Sequence, residues 1–419
     1  MLHIAVPAPA DESAVDRVRT LTGLRVIATE APREAIRSRI AAYYSAPDQD
    51  ADELGDDPPA IRAVDRLHEN AIRLGASDIH LEPTLSGGRV RLRVDGILRQ
   101  SDQLPQELFQ TMVSRVKLLA AMDIAERRLP QDGRYLLDCS GRKLDARVSS
   151  MPTIAGEKLV IRLLDMQAQV PNLATLGMGA SMLARYRRVI HAAHGFIVVC
   201  GPTGSGKTTT LYASLSERNL DGQHVCTVED PVEVQMTGVA QVQINSKAGL
   251  TFASTMRAFL RQDPNVIMLG EMRDAESAGV ALSAALSGQL VMTTLHASDA
   301  PRAIERLIEF GLHRNTLAAG LSAIVSQRLV RRLCERCRSK GCQRCDGSGY
   351  RGRVAIFEFL PMSAEVRAAV ARSDRAIELV EAGIRAGYEP MMSEGLRLVA
   401  RGETSRAEVE RVLGSGEYE

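Results

Sequence analysis

The excess of one charge sign that marks a nucleic-acid binder is missing, because 52 Lys and Arg stand against 51 Asp and Glu and leave a formal net charge of +1. The overall balance gives no argument for a polyanionic partner, although a local basic patch stays open. Also missing is any apolar run near the roughly 18 residues that a membrane helix needs. The opening Met1-Leu2-His3, followed by Asp11 and Glu12, lacks the pattern of a secretory signal. These absences predict a chain that stays in the cytoplasm and meets a membrane only through partners. No internal repeat or low-complexity tract breaks the sequence. What remains is ordinary globular composition, 45% hydrophobic and 25% charged over 419 residues. At about 150 residues per domain, that length predicts two or three domains with room for a sizeable core.

Seven cysteines suit a reducing compartment. Cys139, Cys200 and Cys226 are scattered, and Cys200, ending an apolar run, reads as a buried thiol. The other four cluster and are considered below.

Residues 1–45 read as a partial domain, with a strand over 24–28 and a helix over 35–44 carrying Ile36, Ile40 and Tyr43, too little to bury a large core. An acidic linker over 46–59 holds Asp48, Asp50, Asp52, Glu53, Asp56 and Asp57, and no base. A mixed α+β domain over 60–166 begins with Ile61, Val64, Leu67 and Ala71 at helical spacing, stopped by Gly75. Val90, Leu92 and Val94 then alternate with Arg89, Arg91 and Arg93 before Asp95-Gly96, a half-buried hairpin whose arginine face is solvated on the plainest reading. A helix over 108–119 and strands over 143–148 and 159–163 complete it. A connector over 167–176 leads to the last domain, 177–419. There, strands predicted over 196–200, 224–228, 266–269 and 290–294 alternate with helices, which implies a parallel sheet with ligand loops at the carboxyl ends of its strands.

The first of these strands runs into Gly201-Pro202-Thr203-Gly204-Ser205-Gly206-Lys207-Thr208, followed by Thr209. A strand, a G-x-x-x-x-G-K-[ST] turn and a helix form the context of a phosphate loop. The glycines let backbone N–H groups converge on phosphate oxygens, Lys207 brings charge to the β and γ phosphates, and Thr208 offers magnesium a hydroxyl. A merely glycine-rich turn is the competing reading. The second strand ends in Glu229-Asp230-Pro231-Val232-Glu233, where Glu229 can hold magnesium or polarise a water, or the acids are simply solvated. The third ends at Glu271, which fits an acid that orients the attacking water or binds magnesium through water; a carboxylate at a helix start is the alternative. The fourth ends at His296, placed for sensing phosphate or positioning water, or a structural histidine.

Cys334-x2-Cys337-x4-Cys342-x2-Cys345 has the spacing of a closed, structural S₄ zinc site. A nucleic-acid zinc ribbon competes, helped by Arg328, Arg331, Arg332, Arg336, Arg338 and Lys340, but the loop has no stacking aromatic besides the nearby Tyr350.

With these motifs placed, the chain resembles the type II secretion and type IV pilus ATPase family, and within it the secretion ATPases of the general secretory pathway. The resemblance rests on residues 76–83 (ASDIHLEP), 91–96 (RLRVDG), 127–134 (RRLPQDGR), Pro152-Thr153 with Gly156-Glu157-Lys158, the phosphate loop, the Glu229 box, 260–264 (LRQDP), Gly270-Glu271, the His296 box and the four cysteines, and covers about residues 60–419. It implies a RecA-like P-loop ATPase domain with a parallel-rich twisted sheet and a tetracysteine zinc subdomain over 334–345, preceded by a smaller PAS-like α+β domain. It further implies a homohexamer using ATP, Mg²⁺ and Zn²⁺, ATP bound between the domains, and a neighbouring subunit completing the assembly. By position, Arg147, Arg162, Arg257, Arg261, Arg273 and Arg353 match phosphate or interface arginines. The implied partners are the cytoplasmic domain of an inner-membrane platform protein and a polytopic platform protein, with no nucleic acid. Residues 1–45 match only the last part of the docking domain that binds the platform. Relatives often carry Gly-His before the fourth strand, where this chain has Gly288-Gln289. Pilus assembly shares every motif, the retraction branch generally lacks the four cysteines, and a DNA translocase is a remote alternative.

Overall fold

The structure, a computed structural model, describes residues 2–7, 15–16, 18–19, 25–36, 58–139, 141–166, 169–218, 220–373 and 375–414. The linker predicted over 46–59, save its last two residues, and the helix predicted over 35–44, save its first two, lie outside them. The chain divides into two compact units, Met1–Gln167 and Ala168–Glu419.

In the first unit, β1 (Leu2–Pro7) pairs in parallel with β2 (Val26–Ala31), which overlaps the strand expected over 24–28. α1 (Pro59–Leu74) starts with proline, whose missing N–H would be unpaired there anyway, and ends at Gly75, whose φ of 67° favours glycine. Then follow β3 (Ala76–Thr84), β4 (Gly87–Val94), β5 (Ile97–Leu104), α2 (Gln106–Leu119), β6 (Gln131–Cys139), β7 (Arg142–Thr153) and β8 (Gly156–Asp165). The six strands from β3 to β8 form an antiparallel sheet in the order β5-β4-β3-β8-β7-β6. Val64 and Leu67 of α1 and Phe109, Met112 and Val116 of α2 bury one sheet face, built from Ile79, Leu81, Leu92 and Ile161. Because strand side chains alternate, Asp78, Glu82, Arg89, Arg91, Arg93, Arg147, Lys158 and Arg162 take the opposite face. The β4 arginines there are paired: Glu82 meets Arg89 at 2.9 Å and Arg91 at 2.6 Å, and Asp78 meets Arg93 at 3.5 Å.

The second unit contains α3 (Ala180–Ile190), β9 (Gly195–Cys200), α4 (Lys207–Ser216), β10 (Val225–Glu229), β11 (Val239–Gln243), α5 (Phe252–Phe259), β12 (Val266–Leu269), α6 (Ala275–Leu286) and β13 (Leu290–Leu295). It continues with α7 (Ala300–Glu309), α8 (Arg314–Gly320), β14 (Leu321–Leu333), β15 (Tyr350–Pro361), α9 (Ala364–Arg372), α10 (Ala376–Arg385), α11 (Met391–Ala400) and α12 (Arg406–Leu413). The sheet order is β11-β10-β12-β13-β9-β14-β15, parallel except for β15. Helices cover both faces. Phe196 and Val198 of β9 join the core that holds Met256, Ala278 and Ile304, while Ile197 and Val199 join the one that holds Tyr186 and Leu211. Burial on both sides is why 196–200 reads as an unbroken apolar run. Leu173, in the predicted connector, is fully buried in this second core. The chain leaves β9, passes β13 and β12 to form β10, and later returns to β9's other side as β14. Such a reversal of strand order opens a crevice at the carboxyl ends of the strands.

Candidate functional site

Cys200 ends β9, and the chain turns sharply at Gly201. A Cβ at Gly201 would lie 2.5 Å from the Gln327 carbonyl oxygen and 2.6 Å from Ser205 Oγ, at a φ of 153°, so only glycine fits. Gly206, at a φ of 88°, turns the loop into α4. Lys207 opens that helix and is buried, its Nζ donating to the carbonyls of Gly201 at 2.9 Å and Pro202 at 3.0 Å. Burial pulls its ammonium below the usual lysine range, and the nearby Glu271 carboxylate opposes that. Gln327 of β14, which no motif marked, supports the loop from beneath. Its amide donates to the Ser205 carbonyl at 2.5 Å and accepts from Thr210 Oγ1 at 2.7 Å. Thr208 is half-buried and Thr209 exposed at the start of α4.

Two acids end adjacent strands in different surroundings. Glu229 is buried, and its carboxylate accepts from the Tyr212 hydroxyl, from Thr227 Oγ1 at 2.5 Å and from Gln241 Nε2 at 3.2 Å. Glu271 keeps 24% of its side chain exposed and meets Arg273 Nη2 at 2.8 Å and His296 Nε2 at 3.0 Å. Burial alone would raise the Glu271 carboxyl, but Arg273, His296 and Lys207 hold it below the usual carboxylate range. Arg273 also reaches Asp230 at 3.7 Å. The strand ends are tied together where Thr294 Oγ1 donates to the Gly270 carbonyl at 2.7 Å and the Met272 N–H donates to the Thr294 carbonyl at 3.0 Å. Lys207, Glu271, Arg273 and His296 therefore converge at the carboxyl edge of β9, β12 and β13, with Glu229 held through Tyr212.

The other arginines are spread out. Arg257 pairs with Glu276 at 2.6 Å, and Arg261 donates to the Arg257 carbonyl at 3.0 Å. Arg353 is exposed opposite Arg331 in the β14–β15 ladder. Arg147 and Arg162 lie in the first unit as direct partners across β7 and β8, bonded to Asp145 at 3.3 Å and Asp78 at 3.1 Å.

Between β14 and β15, Cys334, Cys337, Cys342 and Cys345 place four Sγ atoms within 4.8 Å of one another. Neighbouring sulfurs are 3.7 to 3.8 Å apart. A tetrahedron with Zn–S bonds of about 2.3 Å has edges of about 3.8 Å, and a disulfide would need about 2.05 Å, so the thiols fit a metal and not a bridge. The Cys345 sulfur also accepts N–H groups from Cys342 at 3.2 Å and Gly349 at 3.3 Å, as a thiolate ligand would.

Among the described residues, no helix is long and apolar enough to cross a membrane. Residues 53–411 match the family described as Type II/IV secretion system protein. Type II secretion system protein HxcR of Pseudomonas aeruginosa is 45% identical over 365 residues, spanning 85% of this chain and 78% of its own. Type IV pilus assembly ATPase PilB of Myxococcus xanthus is 38% identical over 461 residues, spanning 97% of this chain and 81% of its own. The X-ray structure of the ATPase DotB from Legionella pneumophila shares the fold, with a TM-score of 0.65 at 24% identity over 86% of this chain and 97% of that one. The α/β fold with its phosphate loop and tetracysteine subdomain, the family match and these relatives agree: the chain belongs to the type II/IV secretion family, among its secretion and pilus ATPases.

Proposed function

We propose that this chain is a magnesium-dependent ATPase that drives pseudopilus assembly and so exports proteins through a type II secretion system. The observation that carries this reading is the convergence of Glu271, Arg273 and His296 beside Lys207 at the carboxyl edge of the sheet. Backbone N–H groups of Thr203, Gly204 and Gly206 and the Lys207 ammonium hold the β and γ phosphates. Magnesium, held through the Thr208 hydroxyl, would neutralise phosphate charge. Glu271, kept ionised and oriented by Arg273 and His296, positions the attacking water. The water oxygen bonds to the γ phosphorus, the bond from that phosphorus to the bridging oxygen breaks, ADP leaves with that electron pair, and the water's protons stay on the phosphate or pass to solvent. His296 bonds that same carboxylate, so it is the group that registers the γ-phosphate. Glu229, satisfied by Tyr212, Thr227 and Gln241, braces the end of β10. Arg147, Arg162, Arg257, Arg261, Arg273 and Arg353 act as phosphate or interface arginines in a homohexamer. Zinc on the four cysteines has a structural role. The assembly works at the cytoplasmic face of the inner membrane, through its platform partners, without nucleic acid.

Type IV pilus assembly is the second reading, favoured by the PilB match over 97% of this chain. Lys207→Ala in the source cell separates the two. Loss of exoprotein from the medium with surface pili retained is the expected result, and lost pili with normal secretion would move the protein to the pilus branch. The purified variant should lose at least about 100-fold in ATP turnover, and unchanged turnover would remove the phosphate-loop assignment.

A further inference from the structure

Glu358 is a carboxylate buried inside a sheet, away from the acids assigned to ATP. It lies on β15, opposite Ser326 of β14, which in turn lies opposite Cys200, so it shares a row of the sheet with the residue that precedes the phosphate loop. Only 2% of it is exposed. One oxygen, Oε1, accepts the N–H of Ala300 at 2.6 Å, and the other, Oε2, accepts the N–H of Met391 at 3.1 Å. These are the first residues of α7 and α11, two helices far apart in sequence. Pro390, before α11, supplies no side-chain cap, so Glu358 pairs an N–H that a helix start otherwise leaves open.

Each helix leads to a different part of the unit. Upstream of Ala300 runs the segment 296–299, which begins with His296 and is pinned where Arg328 Nη2 donates to the Ser298 carbonyl at 2.7 Å and the Cys200 thiol donates to the Asp299 carbonyl at 3.5 Å. Downstream of α11, the Glu403 carbonyl accepts the Leu333 N–H at 2.8 Å, Thr404 Oγ1 donates to the Arg331 carbonyl at 2.8 Å, and the Ser405 and Tyr350 hydroxyls bond at 2.7 Å. Those contacts flank the tetracysteine loop.

We propose that Glu358 is a positioning residue that couples the His296 segment to the C-terminal helices, by binding the first N–H of α7 and the first N–H of α11 with one carboxylate. A displacement of the His296 segment is thereby passed to α11 and on toward the tetracysteine loop. This rests on the nucleotide-hydrolysing reading above. The coupling depends on charge. Burial pushes the Glu358 carboxyl up to about 7, against the N–H bonds from Ala300 and Met391 and the Tyr388 hydroxyl, with Asp299 adding to the rise. Arg328, on β14, and the Cys200 thiol, on β9, also face this buried network. Ionised, the group accepts from both helices; protonated, one oxygen becomes a donor and one arm is lost. The folded value lies above the ordinary 4.5, so this group's stabilising contribution is complete below about 4.5 and lost as pH rises through about 7. The clamp therefore closes at the pH where it costs the fold most, so stability and coupling move in opposite directions.

Hydrogen exchange on the full chain, with and without Mg-ADP, tests this. In the wild type, ADP should slow exchange in 201–208, in 296–303 and, at least about fivefold, in 391–400. In Glu358→Gln, whose amide cannot accept at both positions, slowing should persist in the first two and vanish in the third. The kcat should fall about tenfold with KM for ATP little changed, and the part of the wild-type pH profile centred near pH 7 should be missing. Met391→Pro is the second variant, because it deletes one donor at a helix position that accepts proline and leaves Glu358 intact. It should uncouple 391–400 in the same way. Slowing of 391–400 in both variants as in the wild type, or its absence from the wild type while 201–208 responds, would overturn the coupling alone. No ADP response at 201–208 in the wild type would overturn the nucleotide reading and this inference with it.

Discussion

Glu229 and Glu271 show how far a residue's sequence context reaches. Both follow apolar strands, and the sequence left their roles interchangeable. The distinction comes from partners that no local pattern reveals: Tyr212 lies 17 residues and Gln241 12 residues from Glu229. Three neutral donors occupy Glu229, whereas Glu271 is partly open and meets the Arg273 guanidinium and the His296 ring. Glu271→Gln should therefore lower kcat by about 100-fold with little change in KM, and Tyr212→Phe, removing one of three donors, by less than about tenfold. Phosphate release at saturating ATP measures both, and equal losses would return the primary role to Glu229. The phosphate loop was legible because its chemistry sits within eight consecutive residues. Gln327 was not, because the Thr210 hydroxyl it holds is 117 residues away. Lys207, read from the motif as a phosphate ligand, is buried against its own loop carbonyls, so circular dichroism should accompany its substitution.

At the scale of elements, the short strands β9, β10, β12 and β13, buried at every position, are legible in the sequence, whereas β15, buried over 354–360, is not. β3 and β14 escaped for opposite reasons. In β3, Ile79 and Leu81 alternate with Asp78, His80 and Glu82, and those polar residues drew attention as a motif while their period of two went unread. In β14, the buried Ser326 and Gln327 interrupt the apolar pattern in the middle of the strand. The arginines at the end of β14 fed the zinc-ribbon alternative. Three of them have structural partners instead: Arg331 pairs with Glu408 at 2.7 Å and stacks on Tyr350, Arg332 meets Glu403 at 3.6 Å, and Arg328 holds the Ser298 carbonyl. The cysteine loop closes the β14–β15 pair, with the Cys334 N–H donating to the Gly349 carbonyl at 2.9 Å, and it contributes little apolar core. A structural zinc worth on the order of 10 kcal/mol would hold such a loop. Chelation under reducing conditions should then open 334–349 to proteolysis while β9 to β13 stay protected. Metal analysis of the untreated protein should find one zinc per chain, and a zinc-free, equally protected loop would refute the site.

For the molecule as a whole, the net charge of +1 conceals a separation that matters more than the total. Arg89, Arg91, Arg93, Arg134, Lys143, Arg147, Lys158 and Arg162 share one sheet face of the first unit with the fewer acids Asp78, Glu82, Asp132, Asp138 and Asp145. Arg147 and Arg162 are direct ladder partners, an arrangement in which like charges repel. Their bonds to Asp145 and Asp78 involve arginines that are 41% and 63% exposed, and such pairs contribute at most about 1 kcal/mol each. Folding therefore gives weak reason to place two arginines side by side, whereas binding a polyphosphate gives a strong one. Replacing both with alanine should change thermal stability by no more than about 2 kcal/mol. It should lower ATP turnover by at least about 100-fold, as removal of arginines that stabilise a transferring phosphoryl group does. Light scattering on the same protein should still find the assembled mass, which separates lost chemistry from lost assembly. A variant that unfolds easily would make the pair structural, one that dissociates would make it an interface element, and full turnover by an intact assembly would remove these arginines from the reaction.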